Sequence, residues 1–83
     1  DPRISDTLGW IYYKKQAYLK SVSYLKEAVA KLPDNATVRY HLGMAYFKKG
    51  DKKPARQELS KSLSLDPKHP GAGEARKALS EIK

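Results

Sequence analysis

The sequence predicts an all-α fold, an α-solenoid of two helical hairpins followed by a capping helix. Three observations predict it. Residue types recur at a fixed spacing of 34 positions, apolar residues fall at helical intervals of three and four, and no segment shows the alternation of a half-buried strand. A unit that returns at a fixed period is expected to stack on its neighbour and to share a core with it.

Identical residues at equal offsets define the repeat. Leu8-Gly9 returns as Leu42-Gly43, and the same offset of 34 joins Tyr12 to Tyr46, Lys14-Lys15 to Lys48-Lys49, Leu25 to Leu59, and Pro33 to Pro67. We therefore divide the chain into unit one at 1–34, unit two at 35–68 and a C-terminal segment at 69–83.

Unit one is predicted to contain two helices. Asp1 suits the N-cap of the first helix and Pro2 its first position. The packed side of this helix is predicted to comprise Ile4, Leu8, Ile11 and Tyr12. The second helix, roughly 18–32, follows a short turn at 14–17 and carries one apolar stripe of Val22, Leu25, Ala28, Val29 and Leu32. Pro33 stops it.

Unit two repeats this plan. Asn35 is the predicted N-cap, and the first helix carries Val38, Leu42, Ala45 and Tyr46. Gly50 suits the left-handed C-cap that ends this helix, and Gln16 holds the equivalent place in unit one, where it should cost stability. Pro54 is tolerable only in the first turn of the second helix, whose apolar residues are Leu59, Leu63 and Leu65.

A fifth helix is predicted from Pro70 to the end, with Ala75, Ala78, Leu79 and Ile82 facing inward. Arg76 and Lys77 stand where the earlier units have Leu-Gly, so the segment is not a third repeat. We interpret it as a cap that covers unit two and presents a polar outer side.

These residues resemble the tetratricopeptide repeat family, whose unit is a helix–turn–helix of about 34 residues. The resemblance covers 1–68 and rests on a pattern of Leu-Gly, Tyr, small, large, small and Pro. The chain matches that pattern at Leu8, Gly9, Tyr12, Ser21, Leu25, Ala28 and Pro33 and again at Leu42, Gly43, Tyr46, Ala55, Leu59, Ser62 and Pro67. Ser5 and Arg39 depart from it, since the family favours a bulkier residue there. Stretches such as 6–10 and 40–44 also resemble long bacterial members linked to envelope and polysaccharide export.

The resemblance implies a concave groove that binds peptides and is lined by the first helix of each unit. By this resemblance, the residues at the family's groove positions are Arg3, Asp6, Trp10, Tyr13, Lys14, Thr37, Tyr40, Met44, Phe47 and Lys48. Members that clamp a peptide carboxylate have Lys and Asn where this chain has Asp6, Trp10, Tyr40 and Met44, so an apolar or aromatic-rich segment fits better. The aromatic side chains could instead cover the core, pack against further repeats or form the interface of a homodimer. A chain with only two units is expected to be a slice of a longer repeat array or to associate with itself.

The net charge of +8, from 17 Lys+Arg against 9 Asp+Glu, is concentrated at the two intra-repeat turns. The basic edge comprises Lys15, Lys20, Lys49, Lys52 and Lys53, together with Lys14 and Lys48. Such an edge is either a solvated surface or a site for an acidic partner or anionic polymer. Nucleic acid is disfavoured, because the edge is nearly all lysine and lacks interleaved aromatic residues.

No motif for catalysis or for a cofactor is found in the sequence. There is no Cys, and His41 and His69 lie in different elements without neighbours at metal-ligand spacing. Gly71-Ala72-Gly73 has neither the preceding strand nor the third glycine of a dinucleotide loop. No apolar run reaches the length of a membrane span. The sequence thus predicts a non-catalytic module that binds a protein or peptide and uses no metal or cofactor.

Overall fold

The computed structural model describes residues 1–82 and contains five α-helices and no strand in that range. They are α1 (Pro2–Lys14), α2 (Tyr18–Lys31), α3 (Ala36–Lys49), α4 (Lys52–Leu65) and α5 (Ala72–Glu81). α1 pairs with α2 and α3 with α4, α2 packs against α3, and α5 lies against α4 and α3. The predicted all-α solenoid of two hairpins and a further helix is confirmed. Of the predicted fifth helix, position 83 lies outside the described residues.

The helix ends follow the local chemistry of their residues. The Asp1 carboxylate accepts a hydrogen bond from the Arg3 backbone N–H at 3.0 Å, and the Asn35 side chain accepts one from the Val38 N–H at 3.0 Å. Gly50 adopts φ 97° at the end of α3, and Gln16 adopts φ 64° after α1. Because L side chains disfavour this left-handed region, the turn of unit one is strained where that of unit two is relaxed.

Each hairpin has a glycine where its two helices contact each other closely. A Cβ added to Gly9 would lie 2.5 Å from Leu25 Cγ, and one added to Gly43 would lie 2.7 Å from Leu59 Cγ. The Ser21 hydroxyl, fully buried, donates a 2.7 Å hydrogen bond to the Gly9 carbonyl. The small residues therefore mark the closest approach of the paired helices.

Two hydrophobic clusters form the core. The first joins α2 to α3 through Val22, Leu25, Ala28, Val29, Val38, Leu42 and Ala45. The second joins α3, α4 and α5 through Tyr40, Met44, Ala55, Leu59, Ala75, Ala78 and Ile82. The core is thus continuous from α2 to α5, and α5 has the covering role that its inward alanines predict.

His69 is buried and connects α4 to the start of α5 through hydrogen bonds. Its Nδ1 accepts a hydrogen bond from the Gly71 N–H at 3.0 Å, so we assign the ring proton to Nε2, which donates to the Ser62 hydroxyl at 3.2 Å. The Ser62 hydroxyl in turn donates to the Leu59 carbonyl at 2.7 Å. Burial lowers the pKa of His69, and the opposing effect of Asp66 is smaller. The ring is therefore a neutral structural element.

The predicted packed side of α1 is wrong. Ile4, Leu8 and Ile11 are 60%, 36% and 44% exposed, because no other helix of residues 1–82 lies on that side of α1. Tyr12, the fourth member, is half-buried and stacks on Tyr24 with ring centroids 5.5 Å apart. α1 contributes to the core through the buried Gly9, through Tyr13, which packs against both clusters, and through Trp10, which packs against the second.

Candidate functional site

An aromatic cluster connects α1 to α3 on the side of the molecule where the first helices meet. The Trp10 ring stacks on Tyr13, with centroids 4.2 Å apart and planes 4° apart, and on His41 at 4.0 Å and 21°. The Tyr40 ring lies 5.7 Å from Trp10 at an inclined angle. Trp10 and Tyr13 are only half-buried, so this stack is both held in place and accessible from solvent.

We use the name aromatic groove for Trp10, Tyr13, Tyr40, Met44 and Phe47. Two of these predicted lining residues are themselves buried, since Tyr40 is 9% and Met44 6% exposed. The reason is α5: both side chains belong to the cluster that includes its alanines, and a Cβ on Gly71 would overlap the Tyr40 ring. Tyr40 and Met44 therefore form the floor of the groove.

A depression of about 180 Å³ lies between α3 and α5 at one end of the aromatic groove. Met44, Phe47 and Ala78 supply its apolar lining. Its charged lining carries both signs and comprises Lys48, Glu74, Lys77 and Glu81. Phe47 is half-buried and Lys48 exposed, with its Nζ 5.8 Å from the Phe47 ring centroid. The accessible lining of the depression is mostly polar and charged, so it suits the polar neighbours of an apolar side chain that contacts the rings beside it.

The polar residues predicted to orient a partner differ in their accessibility. Lys14 and Lys48 are exposed, and so is Arg3, whose Nε lies 3.6 Å from the Asp1 carboxylate. Asp6 is instead engaged inside the molecule, with its Oδ1 2.7 Å from His41 Nδ1 and both side chains less than a fifth exposed. Asp6 therefore holds the His41 ring against Trp10 rather than extending into solvent.

The tyrosines of the groove are neutral over the physiological pH range. Burial raises the pKa of Tyr13, and nearby Tyr40, Tyr18 and Glu74 raise it further. Burial also raises the pKa of Tyr40, again with a contribution from Glu74. Both phenols therefore remain protonated and can act as hydrogen-bond donors.

The basic edge is exposed at every one of its lysines: Lys14, Lys15, Lys20, Lys48, Lys49, Lys52 and Lys53. Lys49 forms an ion pair with Asp51 at 2.7 Å, and Lys20 Nζ lies 5.5 Å from the Tyr12 ring centroid. The other charges are spread over two turns, which is typical of a solvated surface as well as of a weak anion-binding one.

Sequence reasoning missed the contribution of α5 to the groove. Glu74, Lys77 and Glu81 follow one another at helical spacing, so their shared face could have been read from the sequence. That this face adjoins Phe47 and Lys48 depends on the angle at which α5 packs. His41 is half-buried beside Trp10, at the border between the groove and the core.

A family model described as tetratricopeptide repeat matches residues 12–82, which is most of the chain. The chain belongs to the tetratricopeptide repeat family. A search of curated proteins gave no match. Members of this family are generally non-catalytic modules for protein–protein interaction, so the assignment indicates a protein partner.

Two further structural findings concern other functional classes. Within residues 1–82, no three His, Asp or Glu side chains are grouped so that they could hold a metal ion. No helix in the same range has both the length and the apolar character needed to cross a membrane.

Proposed function

We propose that this tetratricopeptide chain is a non-catalytic module, built of units 1–34 and 35–68 and a cap at 69–83, whose aromatic groove binds a peptide or helix of a protein partner. The observation that carries the proposal is the accessible ring set of Trp10, Tyr13 and Phe47 beside a depression of about 180 Å³. The stacked rings of Trp10 and Tyr13 lose little freedom on binding, which suits them as affinity-determining contacts.

The lining of the groove specifies the chemistry of the segment. Trp10, Tyr13 and Phe47 offer half-buried rings, so the central contact of the partner should be an aliphatic or aromatic side chain. Lys48 and Lys77 stand near Glu74 and Glu81 at the same depression, so charged neighbours of either sign can find an opposite charge. The groove therefore selects for an apolar anchor more than for net charge.

Peptides selected from a random library on the immobilised 83-residue chain provide the probe. We expect the selected sequences to share one large apolar residue. In calorimetric titrations with one such peptide, Trp10→Ala and Phe47→Ala should each weaken binding about 5- to 30-fold, the equivalent of roughly 1–2 kcal/mol. Thermal melts of both variants should show that the fold is retained.

Tyr24→Ala is the matched control, because Tyr24 is another half-buried ring in a stacked pair but contacts Tyr12 rather than the groove. Its affinity for the peptide should remain near that of the unmodified chain. Equal losses in Tyr24→Ala and Trp10→Ala, with both folded, would contradict the assignment of the site to the aromatic groove.

Two alternative functions predict other results in binding and sedimentation measurements. If the exposed lysines of the basic edge bind an anionic polymer, raising the salt concentration should abolish binding, and Trp10→Ala should have no effect. If the groove pairs two copies as a homodimer, sedimentation should show association that depends on concentration and that added peptide reverses.

A further inference from the structure

The Trp10 ring is held between two other rings. Tyr13 stacks on it with centroids 4.2 Å and planes 4° apart, and His41 stacks on it at 4.0 Å and 21°. Two rings that are both nearly parallel to the indole at this distance would overlap each other on one face, so they occupy opposite faces. The indole therefore reaches solvent at its edge, and His41 is one of the two groups that fix its position.

His41 is in turn held by Asp6. The Asp6 Oδ1 lies 2.7 Å from His41 Nδ1, and the two side chains are 18% and 13% exposed. Because a carboxylate only accepts hydrogen bonds, we assign the proton of the neutral ring to Nδ1, and a second proton can be taken up at Nε2. Within residues 1–82, His41 is the only basic side chain within ion-pair distance of Asp6.

The other groups around His41 leave Asp6 as the main charge beside it. Tyr40 is its neighbour on α3, with ring centroids 5.6 Å apart, and the Tyr40 phenol is neutral. His69, from the segment between α4 and α5, is also near, and burial lowers its pKa, so that this second imidazole is neutral as well. The remaining helices pack on α3 through apolar side chains, which are Val22, Leu25 and Val29 from α2, Ala55 and Leu59 from α4, and Ala75 and Ala78 from α5.

We propose that protonation of His41 strengthens the binding of a peptide in the aromatic groove. While His41 is neutral, Asp6 carries an uncompensated negative charge beside the rings, and a peptide that covers the groove removes water from that charge at a cost. Once His41 is protonated, the two side chains form an ion pair, and the imidazolium lies against the indole face as a cation. The inference rests on the proposed function, because it concerns the same site.

The effect on affinity must be reciprocal. If protonated His41 favours the bound peptide, the bound peptide favours proton uptake by the same factor. Histidine ordinarily changes its charge between pH 5 and 8. We therefore expect the affinity to rise about 2- to 5-fold between about pH 8 and pH 5.5, with a proton taken up on binding.

Calorimetric titration with one peptide selected on the groove measures both effects. The peptide should have a blocked N-terminus and contain no His, Asp or Glu, so that only the protein changes charge in this range. Repeating the titration in buffers of different ionisation enthalpy reports the proton uptake. Without peptide, the fluorescence of Trp10, the only tryptophan, should fall over the same pH range, because an imidazolium stacked on an indole quenches its emission.

Three variants separate this effect from a merely structural role. His41→Phe keeps a ring against the indole but takes up no proton, so fluorescence and affinity should no longer depend on pH. Asp6→Asn keeps an acceptor but removes the charge, so the rise in affinity at low pH should disappear or reverse. His69→Asn is the matched control, because it removes the other histidine of the chain, and the rise should persist.

Thermal melts at each pH establish that the variants are folded. Should His41→Phe fail to fold, Asp6→Asn decides, because a rise in affinity that survives in it refutes the pairing. Two further results would overturn the inference while leaving the proposed function intact: an affinity that Trp10→Ala weakens but pH does not change, and a pH dependence that is equal in His41→Phe. Peptides whose affinity is unchanged by Trp10→Ala would contradict the proposed function and the inference with it.

Discussion

Replacing Gly43 with alanine should destabilise the chain, although alanine favours a helix more than glycine does. The added Cβ would lie 2.7 Å from both Cγ and Cδ2 of Leu59 and 3.1 Å from its backbone nitrogen. Leu59 is fully buried, so its side chain has no open space into which to turn. The α3–α4 pair must therefore separate by several tenths of an ångström.

The magnitude follows from two opposed effects. Overpacking a close helix contact lowers the free energy of unfolding by about 1–3 kcal/mol, and the better helix propensity of alanine offsets about 1 kcal/mol of that loss. Gly43→Ala should thus lower the free energy of unfolding by about 0–2 kcal/mol, and the larger Gly43→Val by about 1–3 kcal/mol. Gly73→Ala is the matched control: a Cβ on Gly73 in α5 meets nothing within 4 Å, so it should stabilise by about 0.5–1 kcal/mol.

Urea denaturation of the three variants measures these differences, and the melting temperature should shift by roughly 4–8 °C for each kcal/mol. The two alanine variants should move in opposite directions, separated by about 0.5–3 kcal/mol. A gain in stability for Gly43→Ala equal to that for Gly73→Ala would refute the reasoning, because it would mean that the hairpin has room at Gly43.

The remaining predictions concern pH and backbone conformation. Because burial lowers the pKa of His69, the unfolded chain takes up its proton first as the pH falls, and stability should decrease below about pH 6.5, the ordinary histidine pKa. His69→Asn should reduce that slope in denaturation curves measured from neutral to acidic pH, and an unchanged slope would contradict the neutral assignment. Gln16→Gly should stabilise by about 0.5–1 kcal/mol in urea, since φ 64° suits glycine; a loss would show that the Gln16 side chain contributes more than its backbone strain costs. Gly50→Ala at φ 97° should destabilise by about 1 kcal/mol in the same assay, although it has open space around it; no change there would argue against the left-handed cap.

The hairpins and their register could be predicted from the sequence because their determinants are local or repeated. Asn35 and Gly50 act through backbone groups only a few residues away, so their roles follow from residue type and position. Gly9 and Gly43 recur in register with Leu25 and Leu59, which is sufficient to place the close contacts of both hairpins.

Burial could not be predicted with the same success, since it depends on which neighbours are present. Helical spacing identifies Ile4, Leu8 and Ile11 as an apolar face but does not reveal whether a helix covers it. Likewise, Tyr40 and Met44 are covered because α5 packs its alanines onto α3, at an angle set by side chains of three helices together.

The contact between Asp6 and His41 illustrates the same limit. The two residues are 35 positions apart, one more than the repeat, so neighbouring units place them side by side on α1 and α3. The spacing is visible in the sequence, but the rotation of the two helices decides whether Asp6 meets His41 or solvent. The residues that orient Trp10 therefore emerge only from the structure.

Trp10 is the only tryptophan, so its fluorescence reports on the groove alone. The most direct test of the proposed function is acrylamide quenching of Trp10 with and without a saturating selected peptide. Occupation of the aromatic groove should protect the indole from the quencher, and Phe47→Ala should need a roughly 5- to 30-fold higher peptide concentration for the same protection. A peptide that binds by calorimetry but leaves Trp10 equally open to quenching would contradict the proposed function.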